Sequence, residues 1–141
     1  MKYFFDSSAF AKRYIIEKDS PLVVSKCKEA SEIVISAVCV IEVVSALSRL
    51  LREKLIDRFN FSEIKRSLFE EVGKVSVVAV NEDVIYRATQ VVESHAVRSL
   101  DAIHISSALL TRPDLFISAD KRQCAAGKKL GLKVLCLNCR A

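Results

Sequence analysis

Four carboxylates stand out by their positions. Asp6 closes one short apolar run, residues 2–6, and Asp120 closes another, residues 115–119. Glu42 is the only charge in Ala-Val-Cys-Val-Ile-Glu-Val-Val-Ser-Ala-Leu, and Asp101 interrupts Ser-Leu-Asp-Ala-Ile-His-Ile-Ser-Ser-Ala-Leu-Leu. A carboxylate on so apolar a helix needs a partner, either a Lys or Arg from elsewhere or a bound cation. Each acid also has an ordinary explanation. Asp6 and Asp120 suit helix N-caps, and Asp101 suits a first helical turn, where the helix dipole favours it. Together they suggest more. Hard cations such as Mg²⁺ and Mn²⁺ take oxygen ligands, whereas clustered carboxylates without a cation repel one another and raise their own pKa values. Metal-assisted phosphodiester hydrolysis is the chemistry that uses such a cluster.

The elements that must position these acids alternate along the chain. Strands are expected at residues 2–6, 32–36, 75–80, 115–119 and 133–137, all short and rich in β-branched or aromatic residues. Helices are expected at residues 7–15, 21–30, 37 to about 54, 61–72, 82–94, 100–111 and 120–130. Ser20, Ser36 and Ser99 can cap three of them, and Ser62 offers half a cap signal to another. Pro113 stops one helix, and Gly131 supplies a left-handed end to another. Strand–helix alternation with near-continuous apolar strands implies an α/β fold with a mainly parallel, five-stranded sheet covered on both faces. Right-handed crossovers leave the C-terminal strand ends on one edge, where open α/β sheets bind their ligands.

Composition is consistent with this. The 141 residues suit a single domain, residues 1–141, with its own core. Apolar residues form 51% and charged ones 28%, and only 3 Gly and 2 Pro occur, which excludes disordered, collagen-like and hairpin-rich chains. The 22 Lys and Arg against 17 Asp and Glu give +5, a mild preference for an anionic partner. The odd cysteine count, 5, and the early charge at Asp6 point to a cytoplasmic, reducing setting without a secretory leader. No segment is apolar for long enough to span a membrane.

At the acidic positions a family resemblance emerges. Phe5-Asp6-Ser7-Ser8-Ala9-Phe10-Ala11-Lys12-Arg13-Tyr14, with Glu17 following, resembles the opening motif of PIN-domain proteins, in particular the VapC-like toxin ribonucleases. Glu42-Val43-Val44-Ser45-Ala46-Leu47 resembles the second motif, and Leu100-Asp101-Ala102-Ile103-His104 the third. Ile117-Ser118-Ala119-Asp120-Lys121-Arg122, with Ala125-Ala126 and Gly131-Leu132 beyond, resembles the fourth. The resemblance implies a PIN-like three-layer α/β/α sandwich. It implies a Mg²⁺- or Mn²⁺-dependent endoribonuclease with Asp6, Glu42, Asp101 and Asp120 as its metal and catalytic site, supported by Ser7 and Ser118. It further implies a toxin that cleaves RNA, pairs with a cognate antitoxin and forms a homodimer.

Other features are weighed against that reading. Lys12, Arg13, Lys121 and Arg122 follow the strand-end acids and could contact RNA phosphates, although a solvated face explains them equally well. His104, one turn after Asp101, is expected to pack rather than to act as a base. Cys136-Leu-Asn-Cys139 has zinc-knuckle spacing but no second ligand pair nearby. A receiver domain would need adjacent acids after the first strand and an Asp ending the third, where the chain has Asp6-Ser7-Ser8 and Val80-Asn81. A HAD-type phosphatase needs Asp-x-Asp, and Ser8 occupies the second place. The remaining alternative is a catalytically silent PIN domain that only binds RNA or protein.

Overall fold

The computed structural model describes residues 1–138. The sheet order is β3-β2-β1-β4-β5, formed by β1 (Lys2–Phe5), β2 (Glu32–Ser36), β3 (Ser76–Val78), β4 (Leu115–Ser118) and β5 (Val134–Cys136), and every pairing is parallel. The helices are α1 (Ser7–Phe10), α2 (Ser20–Glu29), α3 (Ala37–Arg52), α4 (Arg58–Val72), α5 (Glu82–Ser94), α6 (Ser99–Thr111) and α7 (Lys121–Lys129). A 3₁₀ turn, Ala11–Arg13, extends α1.

Successive strand residues face opposite layers, so the sheet has two cores. Phe5, Ile35 and Ile117 pack with Phe10, Val43, Leu47 and Leu68 on one side. Phe4, Val34 and Phe116 pack with Ala88, Val91, Ala102 and Ile105 on the other. Phe4 and Phe116 stack across β1 and β4 at 5.7 Å between ring centroids. Burial on both faces is why the strands read as unbroken apolar runs.

The expected elements form, with instructive shifts at their ends. The first helix tightens into the 3₁₀ turn after Phe10 and does not continue to residue 15. Ser20 does not cap α2; it is the first helical residue, and its hydroxyl accepts from the Glu17 N–H at 2.8 Å. The helix expected from residue 61 begins at Arg58, because the Asp57 carboxylate caps it by accepting from Asn60 N at 2.7 Å. Ser99 is likewise inside α6, whose N-cap position is Arg98. β3 is shorter than expected because it is an edge strand paired only with β2. Ser36 caps α3 through Val38 N, and Gly131 takes φ +93° after α7, both as expected.

Two of the four described cysteines are paired. Cys124 of α7 and Cys136 of β5 form a disulfide, with Cα atoms 5.8 Å apart, while Cys27 and Cys39 are free. Cys139, considered with Cys136 as half of a zinc knuckle, lies outside the described residues.

Candidate active site

β1 and β4 are neighbours, with Phe5 opposite Ile117. The chain leaves β1 toward β2 on one side and returns to β4 on the other, so the sheet order reverses between them. The crevice at such a reversal is where open α/β sheets hold ligands. Asp6, directly beyond the C-terminal end of β1, and Asp120, two residues beyond that of β4, stand at that crevice.

Asp6 is wholly buried and its lone pairs are filled. Oδ1 accepts from Ala9 N (2.9 Å) and Ser8 Oγ (2.7 Å), and Oδ2 accepts from Ser118 Oγ (2.6 Å). It is therefore an N-cap for α1 as well as a site acid. Burial raises its pKa despite the nearby His104 and these hydrogen bonds, which favour the ionised form. Ser8 also ties β1 to β4, because its hydroxyl accepts from Ala119 N at 2.9 Å.

Asp120 caps α7, accepting from Arg122 N (2.8 Å) and Gln123 N (3.2 Å). Its own N–H donates to Ser118 Oγ at 2.9 Å, so Ser118 links the two strand-end acids. The Asp120 side chain keeps 23% exposure, in contrast to Asp6.

Asp101, in the first turn of α6, is buried and held from two sides. Gln123 Nε2 donates to Oδ1 at 2.9 Å; Arg98 donates to Oδ2 from its backbone N–H (3.2 Å) and its Nε (3.3 Å). The guanidinium also reaches Asp120, with Nη2 3.8 Å from Oδ2.

Glu42 is less buried than its apolar helix implied. α3 buries one stripe, Cys39, Val43 and Leu47, and leaves Ile41 exposed, so the Glu42 side chain retains 27% exposure. Its partner is His104, whose Nε2 lies 2.5 Å from Glu42 Oε1. Burial alone would raise the Glu42 pKa, but the hydrogen bond and charge of His104, with smaller help from Ser7 and Arg98, hold it below the usual carboxylate value. His104 is fully buried, and among the described residues its Nδ1 has no hydrogen-bond partner.

The four acids thus belong to one network. Asp6 joins Asp120 through Ser118, Asp120 joins Asp101 through Arg98, and His104 connects Glu42 to the helix that carries Asp101. Among the described residues, no group of three His, Cys, Asp or Glu side chains encloses a ready-made metal position. The cation already bridging Asp101 and Asp120, the Arg98 guanidinium, marks where positive charge is accommodated.

The basic residues divide sharply. Lys12 is buried and pairs with Glu17 at 2.6 Å. Arg13 pairs with Glu71 and lies over the Phe10 and Tyr14 rings. Lys12 is thus buried and paired and Arg13 is half-buried, paired and stacked, so the expected contact with RNA phosphates would have to displace those partners. Lys121 and Arg122 are exposed beside Asp120. Sequence reasoning missed Ser8, Arg98 and Gln123 and set His104 aside. Arg98 and His104 each lie three residues from Asp101, the helical neighbour spacing that could have flagged them.

With this geometry in hand, the comparisons fix the class. The family model described as PIN domain matches residues 3–129, and the chain belongs to that family. No curated protein matches. Among solved structures it is similar to FitAcB from Neisseria gonorrhoeae, at 12% identity and TM-score 0.72, covering 94% of this chain and 96% of that one. It is similar to the sarcin–ricin loop cleaving toxin VapC20 of Mycobacterium tuberculosis, at 15% identity and TM-score 0.68, covering 89% and 95%. A chain of a toxin–antitoxin complex from Klebsiella pneumoniae is similar at 13% identity and TM-score 0.67, covering 87% and 90%. At these identities the likeness is one of fold.

Proposed function

We propose that this PIN domain is a Mg²⁺- or Mn²⁺-dependent endoribonuclease of the VapC type. The observation that carries the reading is the joining of Asp6, Glu42, Asp101 and Asp120 through Ser118, Arg98 and His104 at the reversal point of a parallel sheet. Asp101 and Asp120, which already share the Arg98 guanidinium, are the pair to hold the cation, with Glu42 acting through an intervening water and Asp6 as the buried anion behind them. The metal, when bound, supplies an activated water and charge neutralisation at the phosphodiester. The chain's own residues do the rest. Ser8 and Ser118 fix the Asp6 carboxylate, Ser7 and His104 aim Glu42, and Gln123 holds one oxygen of Asp101. Lys121 and Arg122 contact RNA phosphates from the rim.

The partners follow from the same reading: RNA as substrate, a second copy of the chain in a homodimer, and a cognate antitoxin that silences the site. A toxin of this kind works in the cytoplasm, and among the described residues no helix is long and apolar enough to cross a membrane. A catalytically silent domain would have little reason to keep four linked acids. The test is cleavage of single-stranded RNA with Mn²⁺ and with EDTA. Metal-dependent cleavage supports the reading, and a folded protein that binds RNA but never cuts it supports the silent alternative.

A further inference from the structure

Arg98 has no place in the chemistry so far, yet it is the only Lys or Arg among the described residues in ion-pair contact with any of the four acids. Its side chain is 75% exposed and touches both Asp101 and Asp120. The backbone that carries it is fixed, because its N–H donates to Asp101 Oδ2 and it occupies the N-cap position of α6. It also lines a cavity of about 530 Å³ that runs from Glu42 past Arg49 and Arg52 on α3. The guanidinium therefore sits where the acidic site opens into a groove of mixed charge, lined by Arg49 and Arg52 and also by Glu17 and Glu42.

We infer, building on the proposed nuclease reading, that Arg98 has two stations: a placeholder cation on Asp101 and Asp120, and a phosphate-positioning residue in the groove once a divalent cation takes its place. The guanidinium is itself exposed and its contacts are long, 3.3 Å to Asp101 and 3.8 Å to Asp120, so a doubly charged ion displaces it readily although Asp101 is buried. Once freed, its planar fork matches the two non-bridging oxygens of a phosphodiester. Arg52, exposed along the same groove, continues the track for the adjoining phosphates, and Arg49 joins it by giving up its exposed, 3.8 Å pair with Glu53. The arrangement makes RNA binding depend on the metal, because without it the best-placed cation is engaged by the acids.

The two stations give Arg98→Gln effects of opposite sign. Calorimetric titration without RNA should show Mn²⁺ binding about two- to fivefold tighter, since an exposed competing pair is gone. Steady-state cleavage of single-stranded RNA should show a raised KM, and the salt dependence of KM should weaken by about 0.7 in log–log slope, the loss of one phosphate contact. Arg98→Lys, which keeps the charge without the fork, should fall between wild type and Arg98→Gln in both measurements. A purely structural role predicts Mn²⁺ binding that is weaker or unchanged, and either result overturns the placeholder station. An unchanged KM and salt slope overturn the phosphate station. Should wild-type protein bind no Mn²⁺, the nuclease reading fails and takes this inference with it; Mn²⁺ binding identical in wild type and Arg98→Gln removes the inference alone.

Discussion

Asp6 and Asp120 occupy equivalent places in the chain and very different ones in the fold. Each ends a parallel strand, each caps the helix that follows, and their strands are neighbours. Asp6 is sealed in, with every strong acceptor position filled by Ser8, Ser118 and Ala9. Asp120 is partly open and shares a cation with Asp101. The basic residues beside them repeat the difference: Lys12 and Arg13 are consumed by Glu17 and Glu71, whereas Lys121 and Arg122 face solvent. The β1 half of the crevice is scaffold charge locked in place, and the β4 half is the open one, where the proposed function would have cation and substrate bind.

The largest effect should come from the locked half. Asp6→Asn should lower RNA cleavage by about ten- to a hundredfold, the cost of losing an outer-shell partner of a metal site. It should nonetheless leave the fold intact and no less stable at neutral pH. The folded pKa of Asp6 lies above its unfolded value, so the native state binds the extra proton between the two, and stability falls as pH rises through that window. Melts of wild type and Asp6→Asn across pH 4 to 7 should diverge in that direction. A full-activity variant, or one that unfolds at neutral pH, would break the comparison.

Next in size is the disulfide that anchors α7, the helix capped by Asp120, to β5. The cysteines are 12 residues apart, and a loop of that order contributes about 3 kcal/mol. Reduction with dithiothreitol should lower the melting temperature by several degrees. An unchanged midpoint would show that packing alone holds α7.

Glu42 tests the link between the halves. Its folded pKa is depressed, so its contribution is present above the unfolded carboxylate pKa and is lost as pH falls through the folded value. Glu42→Gln should flatten this acid limb, an effect of about 1 kcal/mol for a partly exposed charged hydrogen bond. His104→Ala should flatten it equally. Independent effects of the two substitutions would dissolve the pair.

The smallest effects separate the basic residues. Lys121→Ala with Arg122→Ala should weaken RNA binding and its salt dependence without moving the melting temperature. Lys12→Ala should do the reverse, lowering stability and sparing the salt slope, because its charge is already paired with Glu17.

Much of this was legible in the sequence for a physical reason. Strand and helix patterns are local, and the apolar runs at Phe4-Phe5, Val34-Ile35 and Phe116-Ile117 carry the two-faced sheet directly. The positions of the four acids followed from strand ends and apolar helices. Their partners did not follow, because those are set by tertiary packing. Glu42 and His104 are 62 residues apart, and Gln123 reaches Asp101 across 22. Cap positions slipped at Ser20 and Ser99 because a serine near a helix start can sit just inside it, as both do here. The burial of Lys12 was hidden for the same reason: a basic residue after a strand-end acid reads as surface until Glu17 folds back onto it.

The most direct test of the account is calorimetric titration of Mn²⁺ into the wild-type chain and into Asp101→Asn. Asp101 is the acid held by both Gln123 and Arg98, at the centre of the open half. The account predicts saturable Mn²⁺ binding in wild type that is lost or weakened at least about tenfold in Asp101→Asn, with both proteins folded. Equal binding by the two, or none by wild type, would contradict a divalent cation site among these carboxylates.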